Sequence, residues 1–175
     1  MDEARINAHV NARVLIERGL RVPIVTRITG LSSSIVRQVY REVTGQMAKP
    51  GPIPAPMSLV ETNTLRAATS VYLSLYARYA PNTIKYLEVD WRAVLLAYDA
   101  FCRIVPDQVH LLEVNAAWVA ATGYRSKNLK LERCKDCCAQ YVTCTAYERR
   151  TFTTCPMCSL RDVYRKQRLR SRHVA

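Results

Sequence analysis

The stretches Cys134-Lys-Asp-Cys137-Cys138 and Cys155-Pro-Met-Cys158 decide the fold of the last third of this 175-residue chain. They contain two C-x2-C pairs separated by seventeen residues, and each pair can present two thiolates to one metal ion. Zinc prefers four tetrahedral ligands, and two such pairs leave no open position for water. We therefore predict one structural Zn²⁺ per chain, bound by Cys134, Cys137, Cys155 and Cys158, whose binding energy helps a small module to fold.

The surroundings of these cysteines leave some alternatives open. Cys138 could replace Cys137 as a ligand, although Cys137 preserves the two-residue loop of the first pair. Disulfides are disfavoured because the acidic start, Met1-Asp-Glu-Ala4, lacks the pattern of a secretory signal, and a redox site needs only one pair. The strand-like stretches Gln140-Tyr-Val-Thr143 and Thr151-Phe-Thr-Thr154 predict a hairpin that brings the two pairs together.

Positive charge is concentrated towards the C-terminal end. The chain carries 26 Lys and Arg against 14 Asp and Glu, a formal net charge of +12. Residues 123–175 contain thirteen basic and four acidic side chains, whereas residues 51–122 contain five and six. This asymmetry is typical of a protein that binds a polyanion, most often nucleic acid, and less typical of basic residues that only keep a surface soluble.

Residues 1–45 are predicted to be helical and to contain a helix-turn-helix. The first helix has an apolar face at helical spacing: Ile6, Val10 and Val14, widened by Ala8, Ala12, Leu15 and Ile16. Gly19 is predicted to end this helix. Helices over 22–29 and 35–43 then flank the turn Gly30-Leu-Ser-Ser-Ser34, in which Ser32 or Ser33 can cap the second of them.

The second helix of such a unit enters the major groove of DNA, with its first residues near the base edges. Arg and Gln suit this position because they can form paired hydrogen bonds with guanine and adenine. The predicted DNA-binding residues of this helix are Ser33, Ser34, Arg37, Gln38 and Arg41. Basic residues predicted to contact DNA from the last third are Arg149, Arg150, Arg165, Lys166 and Arg168. A plain helical hairpin and a solvated, frayed terminus are the alternative interpretations of these two regions.

A proline-rich linker, residues 46–57, precedes a predicted helical core over residues 58–123. Four of the eight prolines lie in the linker, and alternating prolines favour an extended chain. Ser58-Leu-Val-Glu61 has the pattern of a capping box that opens a helix ending near Tyr79. Further helices are predicted over 89–105 and 108–122, the last one ended by Gly123. Their apolar faces are expected to form a core and to contribute a partner interface.

The predicted fold class is mainly α, with an N-terminal helix-turn-helix and helical core followed by a small four-cysteine, zinc-ribbon-like module over residues 124–160 and a basic tail over residues 161–175. No apolar stretch approaches the roughly 18 residues of a membrane helix, so we expect no membrane association. The three histidines, His9, His110 and His173, lack metal-ligand or triad spacing, and no H-x-E or C-x-E motif accompanies the cysteines. We therefore expect no enzyme such as a nuclease or deaminase.

In their serial order these parts resemble the FlhC family of flagellar transcriptional activator subunits. The resemblance spans about residues 4–160. It rests on Leu31-Ser-Ser-Ser-Ile-Val-Arg-Gln-Val-Tyr-Arg-Glu42, on Lys49-Pro-Gly-Pro-Ile-Pro54, and on the two cysteine pairs with Tyr141 between them. The chain departs from the family at Cys138-Ala139, where small glycines are usual. It departs again after the last cysteine, where a short basic end replaces a proline-containing segment and longer tail.

The resemblance implies a subunit that binds promoter DNA with an FlhD-like partner, in a hetero-oligomer that is a hexamer by resemblance, and that recruits or stimulates RNA polymerase. It also implies a four-cysteine zinc site at Cys134, Cys137, Cys155 and Cys158. Relatives on conjugative elements, such as SetC and AcaC, activate transfer genes, so flagellar and conjugative operons both stay open as targets. The implied location is the bacterial cytoplasm, on the nucleoid when DNA is bound. The alternative function is a zinc-ribbon protein that binds RNA or associates with polymerase or the ribosome.

Overall fold

A computed structural model describes residues 3–48, 50–80, 89–145 and 154–172, with the side chains of residues 166–172 left out of the description. Across these ranges the chain is mainly helical, with one two-stranded sheet. It divides into two compact units, Met1–Ile53 and Pro54–Ala175. None of the helices in these ranges has the length and apolar character needed to cross a bilayer.

The N-terminal unit consists of helices α1 (Glu3–Glu17), α2 (Val22–Thr29) and α3 (Ser33–Thr44). Its core contains residues of all three helices and of the turn between α1 and α2: Ala12, Leu15, Ile16, Leu20, Val25, Val36 and Val39. The predicted apolar face of α1 is therefore partly wrong, since Ile6, Val10 and Val14 are 43%, 53% and 39% exposed. The short helices α2 and α3 cover only the side of α1 that carries Leu15 and Ile16.

Three residues separate α2 from α3, and local capping explains the turn. Gly30 has φ 71°, a left-handed conformation that ends α2 at little steric cost. The Ser32 hydroxyl accepts a hydrogen bond from the Ile35 N–H at 3.5 Å, so Ser32 is the N-cap of α3 and Ser33 its first residue. Gly19, with φ 81°, follows α1 as the sequence predicts.

The proline-rich segment is held by local contacts in each unit. In the N-terminal unit, the Arg21 guanidinium donates a hydrogen bond to the Pro52 carbonyl at 2.8 Å. In the second unit, Pro56–Val60 form a 3-10 helix, with proline at its first position, where no N–H is needed. The end of this segment is therefore helical instead of extended.

The first long helix of the second unit, α4 (Asn63–Tyr79), begins later than the sequence predicts. The capping box at Ser58 is wrong, because the Ser58 hydroxyl donates to the Ala55 carbonyl within the 3-10 turn at 2.8 Å. Thr62 caps α4 instead, and its hydroxyl accepts a hydrogen bond from the Leu65 N–H at 3.2 Å. The predicted end of the helix at Tyr79 is confirmed.

Two further helices, α5 (Trp91–Ile104) and α6 (Val114–Arg125), complete the helical core, with a 3-10 helix over Pro106–Leu111 between them. The helix predicted over residues 108–122 is therefore wrong in its first turns. Gly123 does not end α6. A Cβ there would lie 3.0 Å from Leu129 Cδ1, so glycine permits close approach of the next element. Three aromatic side chains of the core are fully buried, namely Tyr72, Tyr76 and Phe101, and Trp118 is 6% exposed.

The C-terminal part contains an antiparallel hairpin, β1 (Leu129–Arg133) and β2 (Gln140–Cys144), and helix α7 (Pro156–Arg172). Strand β2, which covers the first stretch of the predicted hairpin, pairs with β1 in a register that places Leu131 opposite Val142. Residues 151–153 lie outside the described residues. Much of the predicted basic tail is the second half of α7.

Candidate metal centre

The first cysteine pair lies in the tight turn between β1 and β2. Cys134 follows β1 directly, and its N–H donates to the Ala139 carbonyl at 2.9 Å. The Cys138 N–H donates to the Cys134 carbonyl at 3.1 Å and closes the turn around Cys137. Cys138 itself has φ 60°, in the left-handed region that favours glycine.

The second pair lies at the start of α7. Cys155 precedes Pro156, the first residue of the helix, and Cys158 belongs to the first helical turn. The Ser159 N–H donates to the Cys155 carbonyl at 3.0 Å, so helical hydrogen bonding begins at that residue. A hairpin turn thus positions the first pair, and the start of a helix positions the second.

The four sulfur atoms form a single cluster in which every pair lies within 4.8 Å. Cys134 Sγ is 3.8 Å from Cys158 Sγ, and Cys137 Sγ is 3.7 Å from Cys155 Sγ. A tetrahedral ion with bonds of about 2.3 Å to sulfur requires sulfur–sulfur distances of about 3.8 Å. The four cysteines therefore fit a tetrahedral metal ion such as zinc. Cys138 is exposed and lies outside the cluster, which favours Cys137 as the ligand.

The hydrogen bonds and burial of the cluster shift its thiol pKa values in opposite directions. Backbone N–H groups of Cys137 and Asp136 lower the pKa of Cys134 to about 7, because they stabilise its thiolate. Burial raises the pKa of Cys155, and the hydrogen bond with Cys137 raises that of Cys158 to about 12. Four thiolates at these distances repel one another. All four thiols can therefore be ionised together only when a bound cation replaces their protons.

The predicted DNA-binding residues of α3 are all exposed: Ser33, Ser34, Arg37, Gln38 and Arg41. Arg37 and Arg41 are four residues apart, which places them on one side of the helix. The Gln38 amide donates to Glu42 Oε1 at 3.1 Å, so this side chain already has a polar partner along α3.

The other predicted DNA-binding residues belong to the second unit. Arg165 is exposed on α7. Lys166 and Arg168 lie on the same helix, with side chains that are not described, and Arg149 and Arg150 lie outside the described residues.

The chain matches the family described as "Flagellar transcriptional activator (FlhC)" over residues 3–171, nearly its whole length. The chain belongs to the FlhC family. The resemblance predicted from the sequence is thereby confirmed, and the family is one of transcription regulators, not of enzymes. No curated protein matches the chain.

Sequence reasoning missed Arg66, a residue of α4 that connects the helical core of this FlhC-family chain to its cysteine module. The side chain is 2% exposed. Its Nε donates to the Val142 carbonyl on β2 at 2.9 Å, and its Nη1 donates to the Thr154 carbonyl, next to Cys155, at 3.1 Å. The guanidinium carbon also lies 5.1 Å from the centre of the Tyr141 ring.

Ser70, one turn further along α4, completes this contact. Its hydroxyl accepts the Val142 N–H at 2.9 Å and donates to the Arg66 carbonyl at 2.6 Å. Both backbone groups of Val142 thus bind side chains of α4. The only signal in the sequence is a charged residue among small and apolar side chains near the start of the helix, and it does not distinguish a buried arginine from an exposed one.

Proposed function

We propose that this FlhC-family chain is the DNA-binding subunit of a transcriptional activator that works as a hetero-oligomer with an FlhD-like partner. The family match over residues 3–171 carries the proposal. The net charge of +12, concentrated after residue 122, supports it, because clustered positive charge attracts the phosphate backbone.

In this proposal α2 and α3 act as a helix-turn-helix, and α3 enters the major groove. Ser33 and Ser34, at the start of α3, approach the DNA first, and Arg37, Gln38 and Arg41 follow along the helix. The exposure of these side chains supports this role, as does the burial of Val36 and Val39 on the opposite side. Release of Gln38 from Glu42 would free its amide for adenine.

The basic residues of the last third would contact phosphates and add affinity without sequence preference. We assign this role to Arg149, Arg150, Arg165, Lys166 and Arg168. The exposure of Arg165 on α7 supports the assignment. When the logarithm of the DNA-binding constant is plotted against the logarithm of salt concentration, each phosphate contact of this kind makes the slope steeper by about one unit.

The cysteine cluster would hold one structural Zn²⁺ per chain, bound by Cys134, Cys137, Cys155 and Cys158. When bound, the ion supplies folding energy by joining the hairpin turn to the start of α7. Sulfur–sulfur distances of 3.7 and 3.8 Å support this assignment.

The partner, the polymerase contact and the location follow from family membership alone. We propose an FlhD-like subunit in a hexamer, contact with RNA polymerase at the promoter, and action on the bacterial nucleoid in the cytoplasm. The target operons are flagellar or conjugative. The exposed apolar side chains Leu96 and Ile104 of α5, at 54% and 59%, are consistent with a subunit contact on the helical core.

The experiment is to co-express the chain with a neighbouring FlhD-like gene product and to measure zinc content and DNA binding over a salt series. About one zinc per chain with tight binding to particular promoters is expected, and those promoters identify the regulon. Zinc without a partner or a DNA preference would contradict the activator and favour the RNA-binding alternative.

Arg37→Ala tests the role of α3 in the same complex. Loss of a base contact should cost about 1–3 kcal/mol on the preferred promoter and much less on unrelated DNA. Arg78→Ala is the matched control, since Arg78 is also an exposed helical arginine but lies on α4. An equal loss on every sequence would show that Arg37 contacts only phosphate.

A further inference from the structure

We propose that Arg66 is a positioning residue for the metal centre, holding Thr154, directly before Cys155, against α4 and supplying positive charge to the thiolate cluster. This inference rests on the proposed zinc site. It adds a residue from outside the cysteine module, on a helix that ends at Tyr79, far before Cys134 in the sequence.

The first part of the argument is geometric. Each metal ligand must be held in place by groups around it, and these outer groups affect metal affinity strongly. Thr154 immediately precedes Cys155, and its carbonyl accepts a hydrogen bond from Arg66 Nη1 at 3.1 Å. The same guanidinium binds the Val142 carbonyl through Nε, so one rigid group fixes the approach to the second cysteine pair relative to the hairpin that carries the first.

The second part concerns charge. Four thiolates and one Zn²⁺ carry a net charge of −2, which a protein interior accommodates best with a cation nearby. Burial lowers the pKa of the Arg66 guanidinium, and negative charge on Tyr141 and Cys155 acts in the opposite direction, favouring the cation. The guanidinium cation and the negatively charged, metal-bound cluster therefore stabilise each other. When the thiols are protonated, less negative charge is available to offset the buried positive charge of Arg66.

Ser70 provides an internal comparison. It lies on the same face of α4 and binds the N–H of Val142, the residue whose carbonyl Arg66 binds. The hydrogen bonds of its hydroxyl and carbonyl join it to β2 and to its own helix. A variant of Ser70 therefore weakens the docking of the hairpin on α4 without removing the charge of Arg66 or its contact with Thr154.

The test measures metal binding by the full chain, with Co²⁺ and Zn²⁺ as the probes under reducing conditions. Affinity comes from competition with a chelator, and the thiolate-to-cobalt charge-transfer absorption reports the electronic state of the sulfurs. Three variants are compared. Arg66→Met removes the charge at similar side-chain length, and Arg66→Lys keeps the charge but cannot bind both carbonyls as the guanidinium does. Ser70→Ala is the control. Circular dichroism checks that each variant is folded.

We expect Arg66→Met to bind metal about 10–100-fold more weakly than the unmodified chain, with Arg66→Lys in between and Ser70→Ala little changed. The charge-transfer band of Arg66→Met should also move to longer wavelength, because thiolate electrons are easier to remove without a nearby cation. Equal affinities of Arg66→Met and Ser70→Ala would overturn the proposal and leave Arg66 as a docking residue only.

Two further outcomes are decisive. If Arg66→Met does not fold, Arg66→Lys is compared with Ser70→Ala: affinity weaker by about tenfold supports the proposal, and equal affinity overturns it. If the unmodified chain itself binds neither ion, the zinc site fails, and this result is distinct from a failure of Arg66 alone.

Discussion

Replacing Cys138 by glycine should stabilise the second unit. Cys138 has φ 60°, and a residue with a Cβ pays about 1–2 kcal/mol for the left-handed conformation, whereas glycine does not. Glycine loses about 0.5–1 kcal/mol more than other residues in conformational entropy on folding. The Cys138 side chain is exposed, so little packing is lost. The net expectation is a gain of about 0.5–1 kcal/mol in the free energy of unfolding.

The assay is thermal and urea unfolding at a fixed zinc concentration, followed by circular dichroism, with zinc content measured alongside. A gain of this size should raise the midpoint temperature by about 2–4 °C. Cys138→Ala is the matched control, since it removes the thiol but keeps the Cβ, and it should leave stability unchanged. If Cys138→Gly proves less stable than Cys138→Ala, the reasoning from φ is wrong. If both variants lose zinc, Cys138 is a ligand.

Four other perturbations test the remaining features. Cys155→Ser should release zinc and unfold the C-terminal module, measured by metal analysis and circular dichroism; a loaded, folded variant would contradict the site. Thr62→Ala should lower the free energy of unfolding by about 1 kcal/mol, and Ser58→Ala by less than about 0.5 kcal/mol, because only Thr62 caps α4; equal losses in urea unfolding would speak against this. Gly123→Ala should cost about 1–3 kcal/mol through the 3.0 Å approach of its Cβ to a neighbouring side chain, and a neutral result would show that α6 can shift. Burial raises the pKa of Tyr76 to about 12, above an unfolded value near 10, so stability should hold below about pH 10 and fall by about 2 kcal/mol towards pH 12. Tyr76→Phe should remove that part of the alkaline loss, and an unchanged pH profile would refute the assignment.

The cysteine site was predictable because its information is local. A two-residue spacing fixes how close two thiols can lie, whatever surrounds them, and the structure brings both pairs into one cluster. Short-range caps such as Gly19, Gly30 and Ser32 were predictable for the same reason. They depend on backbone groups within a few residues.

Features that depend on distant partners were not predictable. The pairing of β2 with β1 depends on the tight turn at the first cysteines, which strand-forming composition alone does not indicate. Ile6, Val10 and Val14 recur at helical spacing, just as the buried residues of α1 do. Only the placement of α2 and α3 decides which side of α1 is buried. Predicting the role of Arg66 would have required knowing which backbone carbonyls lie beside α4.

The contact of Arg66 and Ser70 with Val142 also bears on aggregation. Val142 is the middle residue of β2, and its N–H and C=O groups, both turned to α4, are unavailable to a strand from another molecule. A short hairpin otherwise presents an unpaired edge that can recruit further strands. Detachment of the hairpin from α4 would expose that edge at its centre. Chains that lose this contact in the cell are therefore expected to accumulate as insoluble assemblies as well as to lose DNA binding.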